Sequence, residues 1–125
     1  MITITAQRIE HARVDLGRRG ASSGDIETSR SLLYNKSIRA RPIGHAEFVC
    51  VATSSPTSNC TGVFFLPRGK LVVLGPIQPG DDYRVPVVGG TGLYANAHGT
   101  LTASTLDRRP LHELLVFTVY GLSTR

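Results

Sequence analysis

No run of the 125 residues is long and apolar enough to cross a bilayer as a helix, so neither a membrane anchor nor a membrane partner is expected. Met1-Ile2-Thr3-Ile4-Thr5-Ala6-Gln7-Arg8 lacks a continuous apolar stretch of the kind a secretory signal needs, which points to a cytoplasmic protein. Charged residues are scarce at 18%, but hydrophobic residues reach 41%, a balance that excludes a disordered chain. Lysine is nearly absent, with Lys36 and Lys70 the only two among 14 basic residues. Arginine therefore carries the net charge of +5, a bias typical of GC-rich bacterial genomes. Aromatic residues make up only 6%, and the basic clusters Arg18-Arg19, Arg39/Arg41 and Arg108-Arg109 are not interleaved with them. A base-stacking surface needs that interleaving, so no nucleic-acid partner is expected. Cys50 and Cys60 are the only cysteines, and in a cytosolic chain they should be reduced. A hairpin turning at Ser54-Ser55-Pro56-Thr57 would nevertheless set them opposite each other on one face, where a disulfide is possible but not required.

Periodicity places what remains. Segments alternate apolar and polar with period two, and none shows a helical period of 3.6. Breakers recur about every ten residues, as in sandwiches and barrels. The pattern predicts strands over Ile2–Thr5, Ser31–Ile38, His45–Thr53, Cys60–Leu66, Lys70–Leu74, Tyr83–Val88, Ala97–Ser104 and Leu111–Leu122. Residues 16–25 read as loop. Eight antiparallel strands of this length suit a single small closed barrel over residues 1–125, all-β and lipocalin-like in shape. Such a barrel holds side chains or one small ligand.

Three short motifs mislead. Gly20-Ala21-Ser22-Ser23-Gly24 spells a nucleophile elbow, but the chain is too short for the α/β sheet that such an elbow requires. Gly90-Thr91-Gly92-Leu93-Tyr94-Ala95 spells a dinucleotide fingerprint without the helix that should follow, so its glycines read as a tight turn with positive-φ positions. His45 and Glu47 could start a metal site on a strand face, but no second pair joins them. No metal and no cofactor are expected.

Val87-Val88-Gly89-Gly90-Thr91-Gly92-Leu93-Tyr94-Ala95-Asn96-Ala97-His98-Gly99 resembles the signature shared by the allene oxide cyclase barrel and the dirigent proteins. Gly24-Asp25-Ile26, Leu33-Tyr34, Gly44 with Cys50, and Gly75-Pro76 fall in order on the same family pattern, extending the resemblance over residues 24–122. It implies an eight-stranded barrel that binds a reactive lipophilic substrate in its lumen and uses no cofactor. It also implies homo-oligomers, dimers or trimers. The family's lumen Asn falls on Ser31, a departure, and its lumen Cys on Cys50. The first-strand Glu falls on Thr5, Gln7 or Glu10. Barrels of this kind also serve bacterial polyketide pathways as cyclases, including [4+2] cyclases, and a short Arg-rich chain resembles that use.

The expected chemistry is ring closure by conformational restriction, with a few polar groups to orient the substrate. If Cys50 faces inward, strand parity brings Phe48, Ala46 and Ala52 with it, and Cys60, Gly62 and Phe64 from the facing strand. Ser29, Ser31 and Leu33 share the phase on the second strand. Ser31, Cys50, Tyr83 and Tyr120 are the candidate catalytic groups, the tyrosines as donors to a developing oxyanion. Ser29, Leu33, Phe48, Ala52, Cys60 and Phe64 are the candidate substrate-binding lining. The reading is a cofactor-independent cyclase or isomerase of natural-product biosynthesis. The alternatives are a non-catalytic dirigent-like or lipocalin-like binding protein, and a structural or nucleic-acid-binding barrel.

Overall fold

A computed structural model describes residues 1–14, 24–35, 41–54, 57–78, 82–108 and 110–122. The elements are β1 (Ile2–Val14), β2 (Ile26–Tyr34), β3 (Gly44–Ser54), β4 (Thr57–Leu66), β5 (Gly69–Ile77), β6 (Tyr83–Gly90), a 3-10 turn (Gly92–Tyr94), β7 (His98–Arg108) and β8 (Leu111–Tyr120). Each strand pairs antiparallel with the next, and β1 pairs with β8, from Ile2 opposite Phe117 to Gln7 opposite His112. The sheet is thus an eight-stranded closed barrel with no free edge.

Several boundaries differ from the sequence-based expectation. β1 continues nine residues beyond Thr5, to Val14, because β2 pairs with it from Thr5 to the end. Its second half is exposed and carries polar and apolar residues without alternation, which hides the strand. β2 spans Ile26–Tyr34 rather than 31–38, and residues 36–38 lie outside the described set, as do Arg18, Arg19, Arg39, Arg109, Ser55, Pro56 and most of the Gly20–Gly24 stretch. β7 starts one residue later than expected and runs on to Arg108. The Gly89–Gly92 run is not all turn: β6 ends at Gly90, and Gly92, at φ +61°, opens the 3-10 turn. A Cβ on Gly92 would lie 2.5 Å from the Arg68 carbonyl oxygen, so the turn needs glycine there for two reasons.

The inward side chains divide the barrel in two. At the end closed by the 3-10 turn, Ile4, Leu33, Leu71, Val73, Val87, Leu101, Leu115 and Phe117 pack solidly with Tyr94 and Ala97. Phe64 joins this core edge-on to Phe117, with ring centroids 5.0 Å apart at 85°. Toward the other end the inward residues become small or polar, and the interior opens. Among the described residues no helix is long and apolar enough to span a membrane.

Phe117 is fully buried at the meeting of β1, β7 and β8. Phe117→Ala should therefore lower stability by about 3–5 kcal/mol, read as a shift in the urea midpoint. A loss below about 1 kcal/mol would mean that the packed half is not the core.

Candidate functional site

Two β-bulges set which side chains reach the open half of the lumen. In β1, Ile9 has no partner on β2, because Arg8 faces Ser31 and Glu10 faces Arg30. The extra residue resets the alternation, so Arg8 and His11 both turn inward although three positions separate them. In β7, Leu106 is the extra residue between Thr105 and Asp107, and Thr105 lines the lumen opposite Glu113. Asp82 fixes this corner by accepting a hydrogen bond from the Thr105 backbone N–H at 2.8 Å, and Tyr83 follows directly.

These residues enclose a cavity of about 110 Å³ that opens toward the β1–β2, β3–β4 and β5–β6 connections. Its apolar wall consists of Ala6, Ala46, Phe48, Phe64, Ile77, Leu111 and Leu115. The Phe48 ring lies across Gly62, where a Cβ would come within 2.5 Å of it, and meets Phe64 edge-on at 5.5 Å. Its polar wall consists of Arg8, His11, Glu27, Ser29, Ser31, Tyr83, Thr105 and Glu113.

The charges are unevenly matched. His11 Nε2 and Glu27 Oε2 are paired at 3.2 Å at the rim, and farther along β1 Arg13 Nη2 donates to Asp25 Oδ2 at 2.7 Å. Glu113 has no such partner among the described residues. Burial pushes its carboxyl above the ordinary range, Arg8 pulls it back in part, and Asp82 adds to the rise. Tyr83 is likewise raised, by burial first and then by the nearby Glu113 charge, and stands as a neutral phenol. The lumen therefore holds a carboxyl whose neutral form is favoured by burial and a phenol, each able to donate a hydrogen bond when protonated. Among the described residues no three His, Cys, Asp or Glu side chains are grouped as metal ligands.

Of the residues picked out by sequence, Ser29, Ser31, Phe48, Cys50, Cys60, Phe64 and Tyr83 all line this cavity. Three do not. Tyr120 is 61% exposed, at the far end of β8 beside His98, because the lumen parity of β8 runs through Leu111, Glu113, Leu115 and Phe117. Leu33 is wholly buried in the packed half, below the cavity floor. Ala52 sits at the rim, where its backbone binds Gly24 and Asp25. Cys50 and Cys60, for which the sequence leaves both thiols and a disulfide open, face each other across β3 and β4 as the hairpin reading has them, and are joined in a disulfide. Cys50 therefore lines the wall without offering a free thiol. None of Thr5, Gln7 and Glu10 lines the cavity, and the carboxylates there come from β2 and β8 instead. His45 and Glu47 face outward, His45 stacked on Phe65 at 4.3 Å and Glu47 exposed.

Sequence reasoning missed Arg8, His11, Glu27, Thr105 and Glu113. Glu113 did carry a signal. It is the only charged residue in the apolar strand β8, at the same parity as Leu115 and Phe117. Arg8 and His11 carried none, because period two assigns them to opposite faces.

The comparisons with known proteins agree with this architecture. No family model matches the chain, and no curated protein matches it in sequence. Solved structures do match. A pyocyanin demethylase superposes with a TM-score of 0.78 at 25% identity, over 94% of this chain and 98% of that one. The pterocarpan synthase dirigent protein GePTS1 gives 0.79 at 13% identity, over 98% and 87%. AbnU, an exo-specific intermolecular Diels-Alderase, gives 0.75 at 15% identity, over 96% of each chain. The chain has the barrel fold of the dirigent proteins and the bacterial natural-product cyclases.

Glu113 should titrate above the usual carboxylate range by carbon-detected NMR, higher still in Arg8→Gln and lower in Asp82→Asn. Between the ordinary Glu range and that raised value, the folded protein keeps a proton that the unfolded chain has lost. Stability should thus fall as pH rises through this window, and Glu113→Gln should remove the slope. A Glu113 titrating in the ordinary range would refute this account. Separately, Cys50→Ala/Cys60→Ala should cost about 2–3 kcal/mol, since the bond closes a segment with a sequence separation of 10. Thermal unfolding with and without reductant checks it, and an unchanged midpoint would show that the bond contributes nothing.

Proposed function

We propose that the protein is a cofactor-independent cyclase of bacterial natural-product biosynthesis. It binds a reactive lipophilic intermediate, of polyketide type, in the barrel lumen and directs its stereoselective ring closure. The observation that carries this reading is the presence of Glu113 and Tyr83, which influence one another electrostatically, in a lumen that Phe48, Phe64, Ile77, Leu111 and Leu115 also line. The neighbouring structures bear names that span ring closure, demethylation and dirigent function, so the fold alone does not choose among chemistries. The side chains in the lumen must do so.

In this reading, Phe48, Phe64, Leu111 and Leu115 hold the substrate chain folded, so that its reacting carbons meet. Positioning of this kind can supply up to about 7–11 kcal/mol. Glu113 and Tyr83 bind the oxygen of a carbonyl or epoxide as charge builds on it. Ring closure is an isomerisation, so nothing enters or leaves, and any proton lent by Glu113 returns when the oxygen or a neighbouring carbon gives one back. The cavity is smaller than the roughly 300–1,000 Å³ typical of sites that engulf a drug-sized ligand. The substrate is accordingly compact, or inserts only its reacting end.

A second reading, a dirigent-like protein that orients a lipophile without acid–base help, draws on the likeness to GePTS1. The test is to incubate the protein with a panel of linear, lipophilic diene and epoxy-ketone substrates and to follow ring closure by chiral chromatography. Under the cyclase reading, Glu113→Gln lowers kcat by about 10²–10⁴-fold, and Ala46→Phe, which fills the lumen, abolishes turnover. Stereoselective product with no loss in Glu113→Gln would favour the dirigent reading. Failure to accelerate any member of the panel would overturn the cyclase assignment.

A further inference from the structure

The lumen contains a cation that the acid–base chemistry of Glu113 and Tyr83 does not use. Arg8 projects from β1 into the cavity beside Ser31, its register partner on β2. His11, the other base in the lumen lining, is committed to Glu27. Arg13, next along the strand, is committed to Asp25. Among the described residues Arg8 forms no ion pair and no side-chain hydrogen bond. Glu113 lines the same cavity, and the two do not close into a salt bridge, although they influence one another.

A guanidinium keeps its charge in proteins and offers five donors in a planar fork. Half-buried in a lumen that Ala46, Phe64 and Leu111 also line, such a group loses part of its hydration, and no salt bridge replaces it. An unmatched cation facing an apolar cavity is the arrangement expected where a ligand supplies the counter-charge. Burial favours the neutral form of Glu113, which weakens it as a counter-ion. Ser31, the register partner of Arg8, lines the same cavity and offers a further donor.

We propose that the lumen is built for a lipophilic organic anion, whose planar oxyanion, a carboxylate or an enolate, is held by Arg8 and Ser31 while its apolar body lies against Phe48 and Phe64. This rests on the lumen being the substrate site, and it narrows the substrate from any lipophile to an acidic one. Arg8 sets specificity and orientation. The anion anchored at Arg8 positions the rest of the substrate relative to Glu113 and Tyr83, so the cationic and acidic groups play separate roles.

The test uses three small probes and NMR titration of the full-length protein: benzoate, the enolate of dimedone, and benzamide as the uncharged ring. At neutral pH at least one of the two anions should bind about tenfold or more tightly than benzamide, shifting Ala46, Phe48 and the Arg8 side-chain Nε–H resonance. Which of the two binds distinguishes a carboxylate from an enolate substrate. In Arg8→Gln the advantage of the anion should vanish while benzamide still shifts Ala46 and Phe48. In Glu113→Gln the advantage should remain. If all three probes bind in the lumen with equal affinity, or the anion's advantage survives in Arg8→Gln, the anion assignment falls and the lumen site stands. If none of the probes perturbs Ala46 or Phe48 in the wild-type protein, the lumen itself is not a ligand site and both assignments fall. The wild-type comparison alone decides the matter should Arg8→Gln fail to fold.

Discussion

Closure of the sheet through the β1–β8 ladder is the constraint on which everything else depends. A closed antiparallel sheet has one inside, and alternation along each strand sends every second side chain into it. The inside must then be filled or left as a cavity, and side-chain volume decides which. Leu33, Leu71, Leu101 and Phe117 fill one end. Ala6, Ala46, Ser29 and Ser31 leave the other end open. The stability of the packed half is what permits polar groups to stand in the open half without collapse of the wall.

The bulges modify that rule at the points where chemistry is needed. One extra residue in β1 converts an alternating strand into one that sends both Arg8 and His11 inward. One extra residue in β7 sits beside Thr105, which faces Glu113. A bulge exposes an unpaired residue and interrupts the ladder, costs that fall here on the exposed side chains Ile9 and Leu106. The result is a lumen with a division of labour. Aromatic and aliphatic side chains share the lining with a carboxyl, a phenol and a cation from the adjoining strand β1. Burial links the first two properties, since the desolvation that accompanies apolar packing also raises the Glu113 carboxyl.

Much of this is legible in the residues. The count of eight strands and the closed barrel follow from period-two alternation and regularly spaced breakers, whereas the inward phase of Cys50, and of Phe48 with it, rests on the family resemblance. The Gly-rich run at the end of β6 marks the fold family by its residues alone. Alternation fails wherever the strand is irregular or wet on both sides. That is why β1 reads as four residues long, and why Thr5, Gln7 and Glu10 compete for a lumen position that Arg8 holds. Tyr120 stands out in the sequence for its chemistry, but the parity of β8 turns it outward.

The class of architecture is written in the chain itself, because local alternation and turn chemistry are properties of neighbouring residues. So is the shared phase of Phe48, Cys50, Cys60 and Phe64, because the β3–β4 ladder keeps one register from His45 to Ala52. Which acid meets which base is settled only in the folded barrel. Arg8, Glu27, Tyr83 and Glu113 come from four strands, and nothing local relates them. Their meeting depends on barrel closure and on two one-residue insertions in the ladder. The raised carboxyl of Glu113 has the same origin, since it reflects the water removed by residues far away in the chain.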